Sequence, residues 1–376
     1  MRSWRQTISA KMILDSLTTA SQTSNYQSIA PRSSSIDLLR TIAASAVIVI
    51  HISGDLQVEG ACGSYTWWVG NIADSILRWC VPIFVMISGM LLLDPFKKET
   101  PSKFYSKRMK RIFIPLVFWS AFYLVYQMIH SKDFTIHQAI KLIIQGRPYN
   151  HLWYLYMTMG LYAFTPVFRL TINGMSKRLF LALTVLLLSM SALEEFISKF
   201  YFGIIAMASG MVMFLPYIGY FFVGAYIRKS GTSRFNFLSL GVVFCTCALV
   251  IIFGTYLFAV FSVEQNKYYF YSFTNPFVMI MSISLFIFIQ KLSDLNTPWL
   301  AKIEPVIKKV APATFGVYLV HPFVIDIIAK LRIEFPYFYP RDPIADLFLI
   351  SLLVFCFSLQ CTLIIQRLPR FKSIVG

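Results

Sequence analysis

The sequence predicts an all-α, polytopic membrane helix bundle of about ten transmembrane helices, with both termini in the cytoplasm. Three observations carry that prediction. Apolar residues make up 57% of the 376 and charged residues only 14%, a balance far to the apolar side of a soluble domain. The apolar residues also arrive in runs rather than patches, and about 20 in a row suffice for a helix to cross roughly 30 Å of hydrocarbon. Finally, the 34 Lys and Arg are shared unevenly between the two sides: with both termini inside, and with Arg111, Arg169 and Lys330 at span ends counted with their adjoining loops, 24 fall on the inner side and 8 on the outer, while Arg40 and Arg78 lie within spans. Inner loops of membrane proteins carry this excess. The same asymmetry accounts for most of the formal net charge of +17 and leaves no basic face for a nucleic acid.

Residues 1–35 are polar and rich in Ser, Thr and Gln, with no apolar stretch long enough for a cleaved signal peptide. They are expected to form a disordered cytoplasmic tail. The membrane domain then covers 36–366, and 367–376 forms a short cytoplasmic tail. The expected spans are 36–53, 71–93, 111–130, 151–171, 179–195, 204–227, 235–261, 273–290, 312–330 and 343–366. Six of them contain an internal proline, which membrane helices tolerate where neighbours satisfy the freed carbonyls. The six cysteines show neither metal spacing nor a CxxC pair, and five lie inside apolar runs, where cysteine behaves as a small hydrophobe.

In the first span, Arg40 and His51 are eleven residues apart. That is about three helical turns, so both point to one face, separated by about 16 Å along the axis. One reading is a snorkelling arginine and an interfacial histidine. The other is a ligand channel with a cation at its inner mouth and a base further in, since ionisable groups inside a membrane are costly and mark function. A desolvated imidazole stays neutral and can take a proton from a hydroxyl.

The second span reads Arg78-Trp79-Cys80-Val81-Pro82-Ile83-Phe84, followed by Ser88-Gly89. Small residues such as Ser88 and Gly89 suggest close helix packing. Arg78 must face the bundle interior or water, with Asp74 one turn earlier as its expected partner. The next inner loop holds Lys97, Lys98, Lys103, Lys107, Arg108, Lys110 and Arg111. Thr100-Pro101 marks a helix start there, which makes Arg108 and Arg111 neighbours on one face. Their guanidiniums suit phosphate; inner-side charge touching anionic lipid explains the two arginines equally well and is the better reading for most of the lysines. Asn150-His151-Leu152-Trp153-Tyr154 opens the fourth span, where aromatics serve either an interfacial belt or stacking against a sugar. In the ninth span, Tyr318-Leu319-Val320-His321-Pro322 places His321 near mid-membrane, either as a satisfied core histidine or as part of a site. No Walker, dinucleotide, zinc or nucleophile-elbow motif occurs.

Taken together, Ile36-Asp37-Leu38-Leu39-Arg40 with His51, Val81-Pro82-Ile83-Phe84 with Ser88-Gly89, Arg108-x-x-Arg111, His151-Leu152-Trp153-Tyr154 and Tyr318-Leu319-x-His321-Pro322 resemble the integral-membrane acyltransferase-3 family. That family transfers acyl groups from coenzyme A donors to glycans and lipids. The resemblance spans 36–366 and looks most like the subgroup related to the enterobacterial common antigen O-acetyltransferase, a single membrane domain with no fused soluble domain.

The resemblance implies that His51 is the catalytic base and that Arg40 holds the donor or the site geometry. It implies that Arg108 and Arg111 bind coenzyme A phosphates, and that Ser88, Trp153, Tyr318 and His321 lie near the acyl or acceptor path. The expected protein is an O-acyltransferase of a bacterial-type cytoplasmic (inner) membrane. It would move an acetyl group from acetyl-CoA, with no metal, to a hydroxyl of a glycan or lipid-linked sugar. Direct transfer and an acyl-enzyme stay open, as does oligomeric state. The alternative from another class is a polytopic transporter or glycolipid flippase, which ten spans, intramembrane prolines and buried cations also fit.

Overall fold

The computed structural model describes residues 34–94, 99–131, 133–202, 210–263, 266–295, 298–334 and 342–376. The expected tail, except for its last two residues, lies outside these, as do Lys97 and Lys98 of the basic loop and the start of the sixth expected span. Among the described residues the chain is predominantly helical and has no strand. The helices are α1 Ser34–Glu59, α2 Tyr65–Leu77, α3 Cys80–Leu92, α4 Pro101–His130, α5 Ile136–Ile144, α6 Trp153–Asn173, α7 Lys177–Ile197, α8 Ile218–Ser230, α9 Phe237–Phe261, α10 Pro276–Asp294, α11 Pro298–Val310, α12 Thr314–Glu334 and α13 Pro343–Arg367.

Eight helical stretches among the described residues are long and apolar enough to cross a membrane. They are α1, Tyr65–Leu92, α4, Lys177–Tyr201, α9, Tyr269–Ser293, Pro298–Glu334 and α13. The two other expected spans correspond to α6, which has the length but a more polar sequence, and to α8, of which 13 residues are helical.

The element that positions the site is α1. It packs against α2, α3, α10, α11, α12 and α13, so its side chains face protein on most sides. It is also longer than the hydropathy predicts. The expected span ends at residue 53, yet the helix runs to Glu59, because Gln57 is buried among helices and hydrogen-bonded to Asp74. His51 therefore sits two turns inside a helix rather than at its end.

The second expected span is likewise not one helix. It breaks at Arg78–Trp79 into α2 and α3. Pro82 is the physical reason: it has no N–H to give the Arg78 carbonyl, and its ring crowds that same oxygen. Beyond the break, α3 crosses α8 backbone to backbone. A Cβ on Gly89 would fall 1.8 Å from the Phe221 carbonyl oxygen, and one on Gly224 would fall 1.9 Å from that of Met86. The expected close packing at Ser88-Gly89 thus belongs to Gly89, while Ser88 lies half-exposed on the neighbouring face.

Helix starts follow the local sequence. Thr100 caps α4 by accepting from the Lys103 N–H, with Pro101 at the first position. Asp342 caps α13 by accepting from the Ile344 and Ala345 N–H groups, and it also accepts from the Tyr65 hydroxyl at the start of α2. The Ala345 N–H foremost, then the Tyr65 hydroxyl and the Ile344 N–H, hold the Asp342 carboxyl below its usual range. At the chain end, the Trp119 indole donates to the Ile374 carbonyl at 2.8 Å and Val375 is fully buried, so the residues after α13 fold onto α4.

Candidate active site

Three histidines from distant parts of the chain meet inside the bundle. His51 of α1 and His321 of α12 have ring centroids 5.1 Å apart, and His151, two residues before α6, stands 5.4 Å from His321. His321 and His151 are buried, whereas His51 is partly accessible. The sequence explains how His321 is held. Proline at 322 has no N–H, so the Tyr318 carbonyl loses its regular helical partner. The His321 Nδ1 takes that place at 2.7 Å. A carbonyl can only accept, so Nδ1 carries the proton, and Nε2 has no hydrogen-bond partner. The Tyr318 hydroxyl in turn donates to the His151 carbonyl. Neither ring nitrogen of His151 makes a well-formed hydrogen bond; the Leu319 carbonyl beside it already accepts from the Tyr123 hydroxyl at 2.8 Å. Among the described residues, no group of His, Cys, Asp and Glu is arranged to hold a metal ion.

At the α2–α3 break, Arg78 comes within electrostatic reach of His51. As expected it pairs with Asp74, at 2.7 Å. Its guanidinium also lies over the Tyr271 ring, 4.4 Å from the centroid, and 5.6 Å from that of Phe273. Asp74 accepts from Gln57 at 3.3 Å, and the Tyr271 hydroxyl sits between the side-chain oxygens of Gln57 and Asn71. An ion pair away from water is tolerable when further hydrogen bonds and a ring face support it. Even so, Arg78 Nε and Asp74 Oδ1 remain buried without a partner.

A second cationic group gathers at the far end of α3. Arg169, near the end of α6, donates its Nε–H to the Leu92 carbonyl at 2.6 Å. Arg169 and Arg108 both lie over the buried Phe104 ring, 5.0 and 5.9 Å from its centroid. Each has a buried N–H with no partner, Arg169 at Nη2 and Arg108 at Nε. Glu99, Asp94 and the Arg228–Asp94 pair at 3.4 Å stand close by. Arg111 is not part of this group and is exposed.

Helix α3 measures the gap between the two centres. Cys80 lies beside Tyr318 at the histidine end, and Leu92 accepts from Arg169 at the other. Twelve residues at 1.5 Å each make about 18 Å. Between them Phe84 and Ser88 are partly accessible, and Tyr154 of α6 faces Phe84 at 6.1 Å and Tyr318 at 5.6 Å. Arg40 pairs with Asp37 at 3.6 Å and stands within electrostatic reach of Tyr154. The strip of α1 between Arg40 and His51 is buried at Ala44 and Val47, so the partly open line runs along α3 and α6 instead. Trp153 packs on Tyr217 and Phe273 at 5.7 and 5.9 Å, which sets it against the ring beneath Arg78. On the side of the histidines away from the arginines, the surroundings turn acidic: Asp55 is one turn beyond His51, Asp326 accepts from Tyr149 at 2.8 Å, and Asp346 pairs with Arg332 at 2.7 Å. A cavity of 430 Å³ by Gln138, Lys141 and Leu142 shares no lining residue with either centre.

The structure thus brings His51, His321 and Tyr318 together, places Trp153 against their neighbours, and sets Ser88 between them and Arg108. It separates Arg108 from Arg111. Sequence reasoning did not assign site roles to His151, Arg78 or Arg169. Each carried a signal of the same kind: an ionisable group inside an apolar run.

No curated protein and no solved structure matches the chain. The family model described as an acyltransferase domain matches residues 33–366, from the start of α1 to the last turn of α13, and so takes in both centres. The chain belongs to the acyltransferase-3 family, and it is a membrane acyltransferase.

Proposed function

We propose that this acyltransferase is an O-acetyltransferase of a bacterial inner membrane, moving an acetyl group from cytoplasmic acetyl-CoA to a hydroxyl of a glycan or lipid-linked sugar. The observation that carries this reading is the spacing of two unlike centres. Arginines with unpaired N–H groups stand at one end of α3, and a cluster of histidines stands about 18 Å away at the other. Coenzyme A has that polarity, with phosphates at one end of an extended arm and the thioester at the other.

In this reading Arg108 and Arg169 hold the phosphates, since planar guanidiniums match phosphate oxygens. The arm runs past Ser88, Phe84 and Tyr154. The thioester reaches His51, and the acceptor hydroxyl enters from the acidic side, which repels phosphates. His51 takes the hydroxyl proton as the oxygen attacks the acyl carbon. Arg78 supplies fixed positive charge where the oxyanion develops. The resemblance to the common-antigen O-acetyltransferase subgroup supports acetyl as the group and a surface glycan as its destination.

The test uses membrane vesicles holding the full chain and labelled acetyl-CoA. The reading predicts base-labile label in envelope glycan, and its loss in His51→Ala. Full transfer by a correctly inserted His51→Ala contradicts it. So does translocation of a glycolipid that needs no acyl-CoA, which is the carrier's signature.

A further inference from the structure

We infer that His321 is the proton acceptor that serves His51, with its tautomer fixed by Pro322; this rests on the acyl-transfer reading above.

In α12 the residue at 322 cannot donate to the Tyr318 carbonyl, and His321 Nδ1 does so instead at 2.7 Å. The hydrogen bond made by one imidazole nitrogen decides the state of the other. Nε2 of neutral His321 is therefore a bare acceptor, and it is fully buried with no partner. A buried acceptor without a donor costs free energy and calls for a partner that arrives during function.

His51 is placed to be that partner. Two imidazoles joined by one N–H···N hydrogen bond of about 3 Å have centroids about 5 Å apart. The rings of His51 and His321 are 5.1 Å apart, tilted by 48°, so a side-chain rotation brings a nitrogen of one onto the other. Arg78 stands within reach of His51, and two like charges there repel. A hydrogen bond from His51 to the bare His321 Nε2 lets the two rings share the charge of the incoming proton.

The acceptor O–H gives its proton to one nitrogen of His51, while the proton on the other nitrogen passes to His321 Nε2. The hydroxyl oxygen forms its bond to the thioester carbonyl carbon. The C–S bond then breaks with its electron pair on sulfur. The proton returns by the same two rings to give the free thiol. An ester and coenzyme A leave, and both histidines are neutral again.

The experiment measures transfer from labelled acetyl-CoA to envelope acceptor by the full chain in vesicles, in mixtures of light and heavy water. The variant is His321→Asn, whose amide N–H can keep the bond to Tyr318 but offers no base at the Nε2 position. The relay predicts a curved dependence of kcat on deuterium fraction in the wild type, from two protons in flight. In His321→Asn it predicts a straight dependence, with kcat lower by about ten-fold or more and KM for acetyl-CoA unchanged. A kcat within two-fold of wild type in His321→Asn overturns it, and so does a straight wild-type profile, which decides the matter even if the variant fails to insert. A wild type that transfers no label at all removes the acyl-transfer reading, and the relay with it.

Discussion

The two ends of α3 are built in opposite ways. The histidine end draws His51, His151 and His321 from three separate elements, buries two of them, and surrounds them with aromatic rings. The arginine end draws Arg108 and Arg169 over one phenylalanine and leaves both half-exposed. Carboxylates lie beside the arginines, at Glu99 and Asp94; the three histidine rings instead meet one another. A binding end needs strong, water-reachable charge. A reacting end needs neutral bases held away from water, where a fixed dipole or charge acts at low dielectric.

That contrast predicts different failures at the two ends. At the histidine end, His51→Ala is expected to lower kcat by roughly 10²–10⁴-fold, the usual worth of a general base, with acetyl-CoA affinity retained. Equal loss of affinity would erase the distinction between the ends. Asp74→Ala leaves Arg78 without its carboxylate and is expected to cost about 3–5 kcal/mol of stability, read as a fall in melting temperature in detergent. A variant that melts with the wild type would show that the pair holds nothing together.

At the arginine end, Arg108→Ala and Arg169→Ala are each expected to raise KM for acetyl-CoA about ten-fold, the worth of one charge-assisted hydrogen bond, with kcat little changed. Arg111→Ala should stay within about two-fold. An effect of Arg111 equal to that of Arg169 would restore the pairing the sequence suggests. Smallest is Asp342→Ala, remote from both ends. Its carboxyl is held below the usual range, so its contribution is present above the ordinary carboxylate range and is lost as pH falls through the lowered one. The variant should melt slightly early near neutrality and match the wild type in acid. A difference that persists in acid would mean another cause.

What the sequence reveals follows from how far each feature reaches along the chain. Arg40 and His51 share a helix, so helical period alone places them on one face. Arg78 and Asp74 are one turn apart, and their pairing was readable for the same reason. The pairing of Arg108 with Arg111 used the same rule, but adjacency on a helix does not decide which side chain turns inward. Phe104 and Leu92 draw Arg108 and Arg169 together across two helices. The meeting of residues 51, 151 and 321 has no local signature at all. The true end of α1 was hidden because Gly54, Asp55 and Gln57 read as polar, while Gln57 is satisfied by Asp74 and Tyr271 within the bundle. The break at Arg78 was written in Pro82, but hydropathy averages across it.

The central claim is that one donor molecule spans both ends of α3. Its most direct test is the structure of the full chain bound to a non-reactive thioether analogue of acetyl-CoA. The account predicts phosphates on Arg108 and Arg169, the arm against Ser88 and Tyr154, and the sulfur beside His51. An analogue bound with its phosphates elsewhere, or with its sulfur far from all three histidines, would contradict it.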